Sequence, residues 1–554
     1  MKNIEFTNLE RATTTKKLTK EEFDLVVIGG GITGGGIALD AASRGLKVAL
    51  VEKNDFASGT SSKSTKLIHG GLRYLKQFDF WLVKEVGSER AIVHKLAPHL
   101  VLPEKMLLPL IENGSYGKWL TSVGLKVYDI LAQVTGEDKR QMLEKKEALK
   151  LEPLLPKKIL KGAGYYAEYR TDDARLTIEN IKTSLQFGAT ALNYASVTDF
   201  IYTDEKISGV TIKDELLGDN FNISCKYVIS AAGPWVDELR SVNNSKKGKR
   251  LHLTKGVHLV FPYDKLPVKQ SVYFDVPDGR MMFAIPRGKV TYVGTTDTNY
   301  NNDKDKVQTD LADAIYLLSA VNNMFPKINL EMEDIVSSWA GLRPLIHEEG
   351  KSASELSRKD EIFTSDTGLI SIAGGKLTGY RKMAERVVDR IAKKLEEEYK
   401  TKVKPCTTQD IPLCGNDFKK YKHVKKYIAE VFDRIKVDGF TEHDAWFLVT
   451  NYGKQTETIL DFYQNRKETD NPTKLILAEL QFGIVHEMVQ DPMDFFIRRT
   501  GRLYFDIESV RTYMEPVLKE FKTIFKTDDS QILKWKEALQ TELVEHSDFS
   551  MERV

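Results

Sequence analysis

Cysteine is scarce. The chain has 554 residues and three cysteines, Cys225, Cys406 and Cys414, with no C-x-x-C pair. That is too few for a disulfide scaffold and points to a reduced, intracellular setting. An excess of one charge is also missing. The 81 basic and 79 acidic residues leave a formal net charge of +2, so there is no overall electrostatic footprint for nucleic acid and no such partner is expected. No run of about 18 apolar residues occurs that would span a bilayer. The N-terminus, MKNIEFTNLERATTTKKLTKEEFD, is charged and has no apolar stretch of signal-peptide length. The expected location is the cytoplasm or a membrane surface. Histidine and cysteine form no cluster of ligand spacing, so no metal is expected. What is present is ordinary globular material, 41% hydrophobic and 29% charged, enough for two to four domains at about 150 residues each.

Chemistry begins at residue 24. DLVVI, residues 24–28, is a β-branched apolar run that reads as a buried strand. Gly29, Gly31 and Gly34 follow at G-x-G-x-x-G spacing, then the helix IALDAASRG, then a second strand, KVALVE, ending in Glu52. Gly29 permits the tight turn, Gly31 lets the backbone approach a pyrophosphate, and Gly34 allows close helix–strand packing. The helix N-terminus offers free N–H groups to the phosphates. Glu52 is placed to accept hydrogen bonds from ribose hydroxyls, and its charge would repel a 2′-phosphate, which disfavours NADP. The glycines alone are weak evidence. The full order of strand, glycines, helix, strand and acid carries the reading.

The same fingerprint serves NAD and FAD. Where a simple NAD domain would soon add a third strand, this chain reads KNDFASGTSSKSTKLIHGGLRYL. Thr60, Ser61, Ser62, Lys66, Leu67, His69 and Gly70 would give a long polar cofactor many hydroxyls and backbone donors. The plain alternative is a solvated surface loop. GATALNYASVTDF reads as the strand that meets adenine through the backbone of Val197, and YVISAAGPWVDEL as a strand that runs into Gly233. Far downstream, GLISIAGGKLTGYRKMAERVVDRIAKKL is a strand, a Gly374-Gly375 turn and an amphipathic helix starting near Leu377. Its junction, Gly375, Lys376, Leu377 and Thr378, aims a second helix N-terminus at an anionic or electron-rich group such as the flavin N1–C2=O locus. A dinucleotide site drawn from both ends of the chain is typical of flavoproteins, so the expected cofactor is FAD.

On these residues the chain resembles the FAD-dependent glycerol-3-phosphate dehydrogenases. The matching stretches include DLVVIGGGITGGGIALDAASRGLKVALVEKNDF, GTSSKSTKLIHGGLRYL, YRTDDARLTIEN, LTKGVHLVF, GRMMFAIP, YVGTTDT, SSWAGLRPL and AGGKLTGYRKMAE, with HEMVQDPMDFFIRRTGRLYF near the C-terminus. The resemblance implies tight, noncovalent FAD and oxidation of sn-glycerol 3-phosphate to dihydroxyacetone phosphate by hydride transfer to flavin N5. It also implies electron transfer to a membrane quinone and peripheral association with the inner face of the cell membrane.

The substrate carries a phosphate dianion beside two oxygens on adjacent carbons, so its pocket needs cationic donors and a proton acceptor. Arg280, Arg343 and Lys376 are candidates, with Arg73, Tyr74 and Arg358. Taken alone an arginine is more often a salt-bridge residue. Arg343, after a Trp-Ala-Gly turn, and Lys376, after a Gly-Gly turn, stand where α/β sites collect ligands, and the resemblance places the others around phosphate or flavin. Arg343 would also stabilise the developing alkoxide. For the base, His69 and His258 both match family positions that face the active site. His258 is put first, although a histidine in the apolar strand GVHLVF also fits a satisfied core role.

The expected fold class is α/β: a Rossmann-like FAD-binding domain with an inserted antiparallel-sheet substrate domain, plus a C-terminal all-helical domain. Strand alternation across residues 250–300 suggests a sheet roofing the substrate pocket. The divisions fall at an N-terminal arm 1–20, the interleaved FAD and substrate domains 21–395, a linker 396–416 and a helical domain 417–554. Residues 169–181 read as a turn in which Asp172 or Asp173 caps a helix. Residues 116–134, YGKWLTSVGLKVYDILAQV, form the amphipathic candidate for a membrane-facing surface, with Met106-Leu107-Leu108-Pro109-Leu110 adding apolar surface upstream. Rival readings are an oxidase that passes electrons to O₂ and makes hydrogen peroxide, an amine oxidase for carboxylate substrates, and a non-catalytic FAD-binding scaffold. Assembly as a homodimer is left open.

Overall fold

Short apolar runs from three distant parts of the chain meet in one parallel sheet. The structure is a computed structural model that describes residues 5–69, 80–112, 114, 139–347, 360–468 and 470–549. Strands Glu22–Ile28, Val48–Val51, Thr190–Leu192, Asn220–Ser230 and Ile370–Ala373 pair in parallel, with Glu22–Ile28 between Val48–Val51 and Asn220–Ser230. Val48–Val51 and Ile370–Ala373 are buried at every position, which is why they read as unbroken apolar runs. Helix Ile32–Ser43 follows the first strand and packs on helices Asp173–Gln186 and Tyr380–Tyr399. The antiparallel strands Ala195–Thr203 and Lys206–Asp214 extend the sheet from Asn220–Ser230.

A second sheet roofs this layer. Leu251–Pro262, Met281–Arg287 and Val290–Gly294 form antiparallel neighbours, Ser271–Asp275 pairs with Met281–Arg287, and Leu102–Ile111 and Leu160–Arg170 continue the sheet. Ser337–Ile346 is one uninterrupted strand, paired residue by residue with 251–260. The expected Trp-Ala-Gly turn before Arg343 does not exist. A ten-residue ladder keeps that stretch extended, with Gly341 opposite Gly256 and Arg343 opposite Thr254.

Residues after 417 are helical. Tyr421–Ile435, Glu442–Tyr452, Thr456–Asn465, Asn471–His486, Ile507–Phe525 and Asp529–Ser547 are the main helices. The stretch before them is fastened to the rest of the molecule: Leu413 N donates to Leu96 O at 3.0 Å and Cys414 N to Thr183 Oγ1 at 3.0 Å. The N-terminal arm, unread in the sequence, also ties these parts together. Phe6 N donates to Val485 O and Phe6 O accepts from Met488 N, both at 2.9 Å, while its ring stacks on Phe56. Buried Arg11 donates to Asp214 at 2.8 Å and to the carbonyls of Asn193 and Tyr194.

Residues 116–134 lie outside the described residues. Met106, Leu107, Leu108 and Leu110 are buried within strand Leu102–Ile111 and add no apolar surface, contrary to the sequence expectation, because both faces of that part of the strand are covered. Among the described residues no helix is long and apolar enough to cross a membrane.

Candidate active site

Two cavities adjoin where the carboxyl ends of the parallel strands face the second sheet. The first, of about 350 Å³, is lined by Gly29, Gly31, Glu52, Val197, Gly233 and Gly375, with Thr60, Ser61, Lys376 and Leu377. The second, of about 270 Å³, is lined by His69, His258, Arg280, Arg343, Leu67 and Thr378. Thr60, Ser64, Pro344, Gly375, Lys376 and Leu377 line both.

The first cavity is built for a dinucleotide. Gly29 turns at φ +114°, and a β-carbon on Gly34 would sit 1.8 Å from Gly29 O, so the turn and the helix behind it can close only on glycine. Gly31 caps helix Ile32–Ser43 without a side-chain acceptor, and Ser61 Oγ meets Ile32 N at 2.9 Å. The exposed N–H groups and dipole of this helix end suit a pyrophosphate. Glu52 follows strand Val48–Val51. Its Oε2 accepts from Gly30 N at 2.7 Å and its Oε1 from Asn54 N at 2.9 Å, which aims the carboxylate into the cavity wall. Burial raises its pKa against the pull of those two backbone donors, so further donors such as ribose hydroxyls would be strongly favoured. Glycines that leave room for a close ligand, a helix N-terminus and an acid at the cavity wall all fit FAD. At the far wall Gly374 and Gly375 turn with φ +77° and +79°, and Lys376 leads into the Leu377–Gly379 turn and helix Tyr380–Tyr399.

The second cavity centres on Arg343. Its Nη2 donates to Thr295 Oγ1 at 2.8 Å, its Nη1 to Thr296 O at 3.0 Å, and Asp297 lies 3.4 Å away. Arg343 lies across Gly256 of the neighbouring strand, where a side chain would block it. Thr60 Oγ1 donates to Leu342 O at 2.8 Å and joins the cofactor loop to the arginine's strand. Arg280 sits at the rim, bound to Asp278 through Nε at 2.8 Å and stacked over Tyr316.

The two histidines differ. His258 is 2% exposed and stacks on Trp339 with ring centroids 4.6 Å apart. Its Nε2 meets Thr65 Oγ1 at 3.0 Å, and its Nδ1 is enclosed with no hydrogen-bond partner among the described residues. Burial, with Arg343 and Lys66 nearby, holds it well below the ordinary imidazole range, so it is neutral at pH 7. His69 is only half-buried. Its backbone exchanges hydrogen bonds with Thr378 Oγ1 at 3.2 Å, and its ring stands near Phe283.

Lys66 departs from its expected place beside the cofactor. Its ammonium turns into the protein, 2.5 Å from Asp173 Oδ1 and 3.1 Å from Ser62 O, because a buried cation needs a counter-charge and Asp173 supplies it. Ser62 is buried behind the loop and lines neither cavity. Asp172, not Asp173, caps helix Asp173–Gln186, accepting from Arg175 N at 3.1 Å, while Asp173 reaches the cofactor cavity. Gly70, Arg73, Tyr74 and Arg358 lie outside the described residues. Thr65, Gly256 and the Thr295–Asp297 loop were not singled out in the sequence. Their only early signal was membership of the stretches KSTKL, TKGVHL and YVGTTDT.

Comparison with known proteins gives a consistent result. Residues 24–381 match the family model described as FAD dependent oxidoreductase, and residues 406–532 the one described as C-terminal domain of alpha-glycerophosphate oxidase. An aerobic glycerol-3-phosphate dehydrogenase of Bacillus subtilis (strain 168) is 50% identical over 542 residues, 97% of this chain and 98% of that protein. One from Staphylococcus haemolyticus (strain JCSC1435) is 49% identical over 526 residues, 94% of each. The X-ray structure of a glycerol-3-phosphate dehydrogenase from Bacillus halodurans complexed with FAD superposes with a TM-score of 0.85 at 43% identity, covering 99% of this chain and 100% of that one.

Proposed function

The chain belongs to the FAD-dependent oxidoreductase family and carries the α-glycerophosphate oxidase C-terminal domain, and from this premise we infer that it is an FAD-dependent glycerol-3-phosphate dehydrogenase. It oxidises sn-glycerol 3-phosphate to dihydroxyacetone phosphate. Two adjoining cavities with a shared wall support the reading, one suited to a dinucleotide and one holding a fixed arginine and two histidines. Relatives named for this activity align over nearly the whole chain.

FAD, when bound, supplies the hydride acceptor. Gly29, Gly31, the helix that starts at Ile32, Glu52, Val197 and Gly233 would hold its dinucleotide part, and Gly375 to Thr378 the flavin end. Arg343, kept in place by Thr295 and Thr296, binds the substrate and stabilises negative charge on its C2 oxygen. Lys376, on the wall common to both cavities, adds a second cation, and Arg280, with Arg73, Tyr74 and Arg358, completes the phosphate site. His69 takes the hydroxyl proton, since His258 Nε2 already meets Thr65 Oγ1 and its Nδ1 is enclosed. His258 fixes Thr65, which borders the substrate.

A membrane quinone takes the electrons, and residues 116–134 bring the protein to the inner face of the membrane. The test is turnover of glycerol 3-phosphate under air with and without a soluble quinone analogue. Quinone-dependent turnover with little hydrogen peroxide is expected. Stoichiometric peroxide without quinone would assign the chain to the oxidases.

A further inference from the structure

The helical C-terminal domain grips the turn behind the cofactor cavity. Asp55, three residues after Glu52, is 1% exposed, and four side-chain hydrogen bonds fill its carboxylate. Arg499 Nη1 and Nη2 donate to its two oxygens at 2.8 Å each, Arg498 Nε at 2.5 Å, and Asn193 Nδ2 at 3.2 Å. Arg499 is itself 0% exposed and also donates to Glu487 O at 2.7 Å. Residues Asp494–Arg499 wind as a π-helix, a wider turn that brings two consecutive arginines to one carboxylate. Burial alone would raise the Asp55 carboxyl, but Arg499 and Arg498 hold it below the ordinary value.

Asp55 begins the turn that backs the glycine loop. Ser58 N donates to Asp55 O, and Ala57 N donates to Gly30 O at 3.0 Å. The Phe56 ring lies so near Gly30 that a β-carbon there would be 2.5 Å from it. Glu52 and Asn54 are bonded on the other side to residues 192–195. Residues 52–57 are therefore held between the sheet and two arginines more than 440 positions away.

We propose that Arg499, with Arg498, is a positioning residue for FAD: it acts through Asp55 to set Glu52 and the glycine loop, so the C-terminal domain is a working part of the cofactor site. This rests on the FAD-dependent reading above. If the purified protein carries no flavin, that reading fails, not the coupling alone.

The test measures FAD release from holoenzyme, followed by the rise in flavin fluorescence on dilution, in Asp55→Asn, Arg499→Lys and a control, Lys255→Gln. The Lys255 side chain pairs with Asp310 and Asp313 and lines neither cavity. Circular dichroism fixes a temperature at which all three are folded. Loss of charged hydrogen bonds at Asp55 should speed FAD release about tenfold or more in the first two variants. The control should release FAD at the wild-type rate even where its melting temperature falls, and FAD-saturated Arg499→Lys should keep the wild-type KM for glycerol 3-phosphate. If Asp55→Asn does not fold, Arg499→Lys decides, since it keeps the buried charge but loses the two-pronged contact. Wild-type release from Arg499→Lys, or equal acceleration in Lys255→Gln, overturns the proposal.

Discussion

Arg343 crosses Gly256 so closely that a β-carbon on Gly256 would lie 2.1 Å from Arg343 Nη2 and 2.5 Å from Cζ. The arginine's position is therefore set by a glycine on the adjacent strand, and the two can be tested as a pair. Gly256→Ala should push the guanidinium off its Thr295 and Thr296 anchors and lower kcat about tenfold or more, with FAD content unchanged. Arg343→Ala should lower kcat by about 10²–10³ while raising KM less, because its charge counts most as the alkoxide develops. The double variant should be little worse than Arg343→Ala alone. A pure KM effect in Arg343→Ala would assign it to ground-state phosphate binding.

Glu52 offers a cleaner test of the cofactor end. Glu52→Ala removes the acceptor for Gly30 N and Asn54 N together with the expected ribose contact. FAD binding should weaken by about 1.5–3 kcal/mol, the value of charged hydrogen bonds. Titration of apoprotein with FAD checks this, and equal affinity in variant and wild type would contradict it.

The histidines should separate kinetically. His69→Asn is expected to lower kcat by about 10²–10⁴, the range of a lost general base. His258→Asn should cost less, and Thr65→Val should reproduce that smaller loss, because the Nε2 of His258, at the cavity wall, is already taken up by Thr65 Oγ1. Steady-state rates at saturating FAD decide it. A His258→Asn loss as large as that of His69→Asn, with Thr65→Val silent, would return the base to His258.

A stability consequence follows at His99, which is fully buried with neither ring nitrogen partnered among the described residues. Burial, with Arg175 and Lys182 nearby, pushes its pKa down from 6.5 to about 3. Between those values the unfolded chain binds a proton that the folded one does not, so stability is full above 6.5 and falls as pH drops. The slope from this residue is up to about 1.4 kcal/mol per pH unit. His258 acts in the same direction. Urea midpoints should fall less steeply between about pH 6.5 and 5 in His99→Gln than in wild type. Parallel curves would show that His99 does not titrate this way.

What could be read in the sequence was local. Gly29, Gly31, Gly34 and Glu52 do their work within one strand–helix–strand unit, so spacing alone gave their arrangement. The Gly374–Lys376 junction was legible for the same reason. Arg343 was named as a candidate, but its extended setting was not legible, because whether residues 339–341 turn or extend depends on pairing with a strand some 80 positions earlier. Lys66 was misplaced because its partner, Asp173, lies 107 positions on. The grip of Arg499 on Asp55, and of Phe6 on Phe56, leaves no pattern in either neighbourhood. In each case the missing information is tertiary: a strand, a ring or a buried charge must find a distant partner, and the chain nearby does not say where.

The most direct test is anaerobic mixing of the purified, flavin-loaded protein with sn-glycerol 3-phosphate while the flavin absorbance at about 450 nm is followed. The expected result is full bleaching with one dihydroxyacetone phosphate formed per flavin, and none with glycerol or with sn-glycerol 1-phosphate. A folded, FAD-containing protein whose flavin stays oxidised in excess sn-glycerol 3-phosphate would contradict the assignment.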